Sequence, residues 1–186
     1  MDRLSPACVT VADVRDAIAA LKIIKSPGLK GVHAEAFKYS GIRLWTHLSL
    51  FYTTCLCHSY VPGNFMSISI MLLVKNKCGD LTNVNNYRAI ALGNIDTKVL
   101  DKIILTEVTL YHACDDHQFG FKKEHSTILC TAAVEQSNDY YVSRSSHVFV
   151  CFIDFSKAFH KVNYWKLFGQ LIDDVVNSCI ISLLAY

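Results

Sequence analysis

The sequence has no C-x₂-C pair, no long apolar run, no internal repeat and no strong charge of either sign. Its eight cysteines are scattered, several of them inside apolar runs, as reduced buried cysteines are. The one close group, Cys55, Cys57 and His58 in "CLCH", has the wrong spacing for common structural zinc sites and reads as helix interior. No apolar stretch approaches the roughly 18 residues of a membrane span. The opening "MDRLSPACVTVADVRD" lacks the basic and apolar blocks of a secretory signal. These absences predict an intracellular chain, nuclear or cytoplasmic, neither secreted nor held in a membrane. A net charge of +2 neither demands nor excludes nucleic acid, because local basic patches count for more than totals.

What is present is apolar surface. With 52% hydrophobic residues in 186, the chain can bury a sizeable core. Val11, Val14, Ile18, Leu21 and Ile24 recur at helical spacing and predict a helix over 11–25, capped by Thr10 or Asp13. Further helices are expected at 34–39, 42–59 (mostly buried), 95–113, 127–141, 163–172 and 176–186, the fourth of these capped by Ser126. Residues 66–74 alternate and then run apolar, which predicts a strand. "AIAL" is a short strand. Residues 148–153 read as a strand buried on both faces. The mixed order argues for an α+β fold, helix-rich with a small incomplete sheet.

Four polar stretches lie beside apolar elements: "KSPGLKG" (25–31), "KNKCGDLTNVNNYR" (75–88), "QFGFKKEHST" (118–127) and "FIDFSKAF" (152–159). Singly, each has an ordinary reading. SPG is a common turn, NNYR a solvated loop, QFGF a tight turn over packed aromatics. Asp154 is a natural N-cap for a helix following a strand.

In order, the four resemble the motifs of the reverse transcriptases of non-LTR retrotransposons, relatives of the group II intron enzymes. The resemblance runs from about residue 25 to 186. "SPGLKGVHAEAFK" is similar to the family's SPGPDG and following helix. "KNKCGDLTNVNNYRAIAL" is similar to its K…GD…NYRPI-L, "QFGFKKEHST" to its Q-x-G-F-R…S-T, and "FIDFSKAFHKV" to its [FV]-x-D-x-x-K-A-F-D-x-V. The resemblance implies a partial right-hand polymerase: a lead-in over 1–24, a fingers-like region over 25–147 and the start of a palm over 148–186. It implies RNA-directed DNA synthesis from an RNA template, a DNA primer and deoxynucleoside triphosphates. Lys75 and Arg88 then match the cations that neutralise the triphosphate, arginine doing so bidentately. Asp154, the catalytic carboxylate, and the carbonyl of Phe155 would be hard oxygen ligands for Mg²⁺ in a two-metal centre. Phe159 matches the aromatic gate against ribose 2′-hydroxyls, a role compatible with simple core packing. Gln118, Phe119, Gly120 and Phe121 match the template side of the pocket, where Gly120 would allow close backbone approach.

Three positions depart from the family. Lys30 replaces the aspartate of SPGPDG, Ala89 the proline of NYRPI, and His160 the second aspartate of KAFD. The family's glycine-containing grip motif and aromatic-x-Asp-Asp hairpin are also missing from these residues. "LIDDVV", with Asp173 and Asp174, looks like that hairpin, but its apolar residues recur at helical spacing and favour a helix end. The expectation is therefore a polymerase fragment, inactive alone, with an exposed apolar edge beside Asp154. Two other readings stay open. One is an RNA-binding remnant using Lys75, Lys77, Arg88, Lys122 and Lys123 on phosphates; the other is a degenerate copy.

Overall fold

A computed structural model describes residues 7–112, 114–122, 124–155 and 158–186, with His160 described in its backbone only. Its first helix, α1 (Val11–Ala19), opens on a reciprocal cap: Asp13 N–H donates to Thr10 Oγ1, and Thr10 N–H donates to the Asp13 carboxylate. The helix stops six residues short of the expected 25. Ile24 takes φ +57°, and its N–H donates to Glu35 Oε1 at 2.7 Å instead of to the preceding turn. The Ile24 side chain is exposed.

The next helices are α2 (Ala34–Lys38), α3 (Ile42–His58) and the single turn α4 (Gly63–Met66). Strand β1 (Ser69–Val74) follows, then a 3₁₀ turn at Val84–Asn86, strand β2 (Tyr87–Leu92) and α5 (Ile95–Tyr111). Helix α6 (Thr127–Val142) starts where expected, with the Ser126 hydroxyl accepting from Leu129 N–H. A 3₁₀ turn at Ala158–Lys161 leads to α7 (Tyr164–Asp173) and α8 (Ser178–Ala185), the last capped by Asn177.

The chain divides into two units: one holds the residues up to Tyr111 together with Phe168–Tyr186, the other His112–Leu167. In the first unit α1 packs on α3 and α5, and α3 on α8. Val14, Ile18, Tyr52, Leu56, Val99 and Ile180 are among the buried side chains. Removing such apolar area from water is the main stabilising term, roughly 2 kcal/mol for each fully buried large aliphatic. Tyr52 is wholly buried yet satisfied: its hydroxyl donates to Asp96 O at 2.8 Å, tying α3 to the start of α5. Burial, and the nearby Asp96 carboxylate, push its phenol far above the ordinary tyrosine range. Helix α3 is less buried than 42–59 was expected to be. Only Ser49, Tyr52, Cys55 and Leu56 face inward, one stripe of an amphipathic helix.

The sheet among the described residues is one antiparallel ribbon, β1 with β2. Its register pairs Leu72 with Ala89, Leu73 with Arg88 and Val74 with Tyr87. Both faces are open, with Leu72 63% and Met71 49% exposed on opposite sides.

The expected buried strand at 148–153 is not formed. The segment has no ladder partner among the described residues, and Phe149 and Phe152 are 92% and 89% exposed. Continuous apolarity supplied the composition of a buried strand, but a strand needs a neighbour for its N–H and C=O groups, and that is not a local property.

Candidate nucleotide and nucleic-acid site

In the first unit, Lys75 and Arg88 meet on the β1–β2 ribbon. Lys75 N–H donates to Asn86 O at 2.7 Å, one step beyond the last ladder pair, so Lys75 lies diagonally across from Arg88 on the same face. The intervening loop, 76–86, is polar and held by side-chain hydrogen bonds. Asx hydrogen bonds close it: Cys78 N–H donates to Asn76 Oδ1, Thr82 N–H to Asp80 Oδ1, and Asn85 N–H to Asn83 Oδ1. Tyr87 O–H reaches Leu81 O at 2.8 Å. The two bonds from Thr82 hold the Asp80 carboxyl below the usual carboxylate range. Lys75 Nζ rests 3.0 Å from Asn85 O, and Arg88 is exposed.

The SPGLKG turn docks beside this ribbon's exit. A side chain at Gly28 would place Cβ 2.7 Å from Gly93 O and from Asn94 Oδ1, so glycine is required there by contact. Lys30 N–H donates to Asn94 Oδ1, and Lys30 Nζ pairs with Asp96 Oδ2 at 2.6 Å while lying over the Phe65 ring. Asn94 also donates to Ser67 O, and Thr97 Oγ1 to Phe65 O. The lysine that departs from the family pattern is thus a structural cation with its own partner.

In the second unit, Gln118 to Phe121 form a turn. Gln118 N–H donates to Asp115 O, and its side-chain amide to Gly120 O at 2.9 Å. The left-handed residue is Phe121, φ +59°, not Gly120, and a Cβ at Gly120 would meet only Gln118 Nε2 at 3.6 Å. Within this chain, then, no close contact demands glycine at 120. Phe119 packs on His125 and lines an open groove of about 400 Å³ formed with α6 and residues 148–151. Lys122 reaches Asp115 O and the Asp116 carboxylate, so it is engaged within its own loop. Asp115 accepts from the backbone and ring of His117, which lowers its carboxyl below the usual range. Lys123, Ser156 and Lys157 lie outside the described residues.

Phe159 sits on the 3₁₀ turn, 77% exposed, so it is not a core residue; its ring meets Phe121 edge to face at 6.4 Å. Asp154 and Phe155 are exposed in a segment without regular secondary structure, and not at the end of a buried strand. Among the described residues no group of three or more His, Cys, Asp or Glu is placed to hold a metal. One carboxylate and a neighbouring carbonyl fall short of the oxygen shell that Mg²⁺ requires, so the donors among the described residues do not make up a two-metal site. "CLCH" lies at the end of α3, with Cys55 buried and Cys57 and His58 exposed. Asp173 ends α7 and Asp174 accepts from Gln170 Nε2 at 2.9 Å, a helix terminus and not a hairpin.

The structure therefore brings together Lys75 with Arg88, and Phe121 with Phe159. The residues that sequence reading passed over are the loop's asparagines. Their density, Asn76, Asn83, Asn85 and Asn86 within eleven positions, was the available signal. A pocket of about 340 Å³ between α1 and α5, lined in part by Leu56 and Ile104, contains none of these residues. Among the described residues no helix is long and apolar enough to cross a membrane.

A family model described as reverse transcriptase (RNA-dependent DNA polymerase) matches residues 74–183, more than half of the chain. A 115 kDa protein in the type-1 retrotransposable element R1DM of Drosophila melanogaster is 28% identical over 170 residues, covering 90% of this chain and 16% of that relative. The RNA-directed DNA polymerase from the mobile element jockey of Drosophila funebris is 25% identical, covering 83% of this chain and 17% of its own length. The retrovirus-related Pol polyprotein from the type-1 element R1 of Bradysia coprophila is 25% identical, covering 89% and 17%. The chain thus spans about one sixth of the length of these relatives.

Proposed function

The chain belongs to the reverse transcriptase (RNA-dependent DNA polymerase) family, and from that premise we propose that it supplies the triphosphate grip and the first catalytic carboxylate of a non-LTR retrotransposon's RNA-directed DNA polymerase. In this reading residues 1–24 lead in, 25–147 are fingers-like and 148–186 begin the palm of a right-hand polymerase. Its substrates are deoxynucleoside triphosphates, an RNA template and a DNA primer.

The observation that carries the reading is the ribbon tip, where Lys75 and Arg88 share one face over a closed loop. A triphosphate bears about four negative charges, and two cations on one rigid hairpin neutralise part of them without a large ordering cost. Lys75 currently rests on a neutral carbonyl, a weaker partner than phosphate. On the second unit, Phe121 and Phe159 offer exposed ring faces suited to bases or sugar, with Phe159 as the 2′-hydroxyl gate and Gln118 to Phe121 on the template side. Asp154 and the Phe155 carbonyl are donors toward Mg²⁺. They do not complete its shell, so no catalytic step is assigned to these residues alone.

The test is titration of residues 1–186 with a fluorescent deoxynucleoside triphosphate, beside Arg88→Ala and Lys75→Ala. Each substitution is expected to weaken binding about tenfold. Binding indifferent to both substitutions would remove the grip. Primer extension on an RNA template, run in parallel, is expected to give no product. Extension abolished by Asp154→Asn would show a complete centre and return Asp173 and Asp174 as ligands. RNA binding that falls steeply with salt, without nucleotide binding, would favour an RNA-binding remnant instead.

A further inference from the structure

Asn86 stands between the two cations of the ribbon tip. Its carbonyl accepts from Lys75 N–H, its own N–H donates to Asn83 O at 2.9 Å, and only Tyr87 separates it from Arg88. Its side chain makes three further bonds. Oδ1 accepts from Asn76 N–H at 2.9 Å, and Nδ2 donates to Asn76 O at 2.9 Å and to Asp80 O at 3.1 Å. The carboxamide therefore pairs with the Asn76 backbone as a peptide group would in a sheet, adding one more rung to the ladder beyond Lys75. It also holds the far side of the loop through Asp80.

The chemistry allows little else at this position. Asn76 N–H can only donate, so Oδ1 must face it, and Nδ2 keeps two protons for two carbonyls. Aspartate would keep the acceptor, lose both donors and set its charge against two carbonyl oxygens. Glutamine would carry the same groups one methylene too far. Alanine would lose all three bonds.

We propose that Asn86 is a positioning residue for triphosphate recognition: by closing the 76–86 loop through its side chain, it fixes the spacing of Lys75 and Arg88 before a nucleotide arrives. The proposal rests on reading the ribbon tip as a triphosphate grip. A tip that is already ordered loses little freedom on binding, and affinity gained this way requires no additional contact to the ligand. Asn86 itself makes no charge contact, so its effect on affinity passes through the two cations.

The experiment uses residues 1–186 and inorganic tripolyphosphate as the probe, followed by calorimetry. Wild type is compared with Asn86→Ala, Asn86→Asp, Arg88→Ala and the double variant Asn86→Ala/Arg88→Ala. Amide hydrogen exchange at Asn76 and Cys78 and the thermal midpoint are recorded for each. Asn86→Ala is expected to weaken tripolyphosphate binding about tenfold, speed exchange at Asn76, and leave the midpoint in place, since the loop is remote from the core. Asn86→Asp should retain part of the Asn76 protection and bind weakly. Arg88→Ala should weaken binding with exchange unchanged, and adding Asn86→Ala to it should cost less than Asn86→Ala alone. Wild-type affinity in Asn86→Ala despite faster exchange would overturn the positioning role while leaving the grip intact. Unchanged exchange in Asn86→Ala would overturn the loop-closing role itself. Wild type that fails to bind tripolyphosphate, with exchange still sensitive to Asn86, would overturn the grip reading, and the positioning role with it.

Discussion

Lys30 stands where the family pattern has aspartate, and Asp96, sixty-six positions further on, is its partner at 2.6 Å. The pair is partly shielded, with Asp96 21% exposed, and Lys30 also lies over Phe65. Restoring the family residue, Lys30→Asp, sets two carboxylates against each other at the junction of β2 and α5. A destabilisation of about 1–2 kcal/mol is expected, read as a lower thermal midpoint, with recovery in the double variant Lys30→Asp/Asp96→Lys. No recovery would mean that the lysine is tolerated and not paired. In the sequence this position reads only as a disturbed loop, because nothing local announces a partner so distant. The caps are different. Thr10 with Asp13, and Ser126 before Leu129, were legible because donor and acceptor lie within one helical turn. The asparagines of 76–86 fall between these cases: their bonds are partly local, but their composition resembles that of any solvated loop.

At the scale of elements, periodicity located nearly every helix, and the alternating run located β1. It failed where an element depends on a partner. Residues 148–153 are as apolar as a buried strand but lack a second strand, whereas β1 and β2 have each other and little more. The ribbon's side chains are largely exposed, Leu72 at 63%, so replacing them should cost little. Leu72→Lys is expected to change stability by no more than about 0.5 kcal/mol, while raising the concentration at which the chain stays dispersed. A loss of several kcal/mol in denaturant unfolding would instead reveal a partner for that face. Helix α1 marks the opposite limit of periodicity. Leu21 and Ile24 continue the helical spacing, yet α1 ends at Ala19 and the Ile24 N–H donates to the Glu35 carboxylate.

For the whole molecule, burial is uneven. Every buried residue among those described belongs to the first unit, and residues 112–167 contribute none. Stability follows buried apolar contact, so local opening should concentrate in that second unit. Limited chymotrypsin digestion is expected to cut first within 112–167, at exposed rings such as Phe149, Phe152 and Trp165, while α3 and α5 persist. First cleavage in α3 or α5 would contradict this. The distribution also shows why the proposed site residues of the second unit were harder to read than the fold. A core is announced by apolar spacing, whereas Asp154, Phe155 and Phe159 are exposed residues whose meaning came from motif order.

The first unit is interrupted in the chain: it runs to Tyr111, gives way to 112–167 and resumes at Phe168. Ile180 and Leu183 of α8 belong to the same core as Tyr52 and Leu56 of α3. During synthesis from the amino end, α3 is therefore translated long before α8, one of the helices that pack on it. The part of the α3 apolar stripe that α8 will cover stays open through the whole of the second unit. The newborn chain passes through an interval in which a chaperone, or another copy of itself, has access to a surface that the finished protein hides.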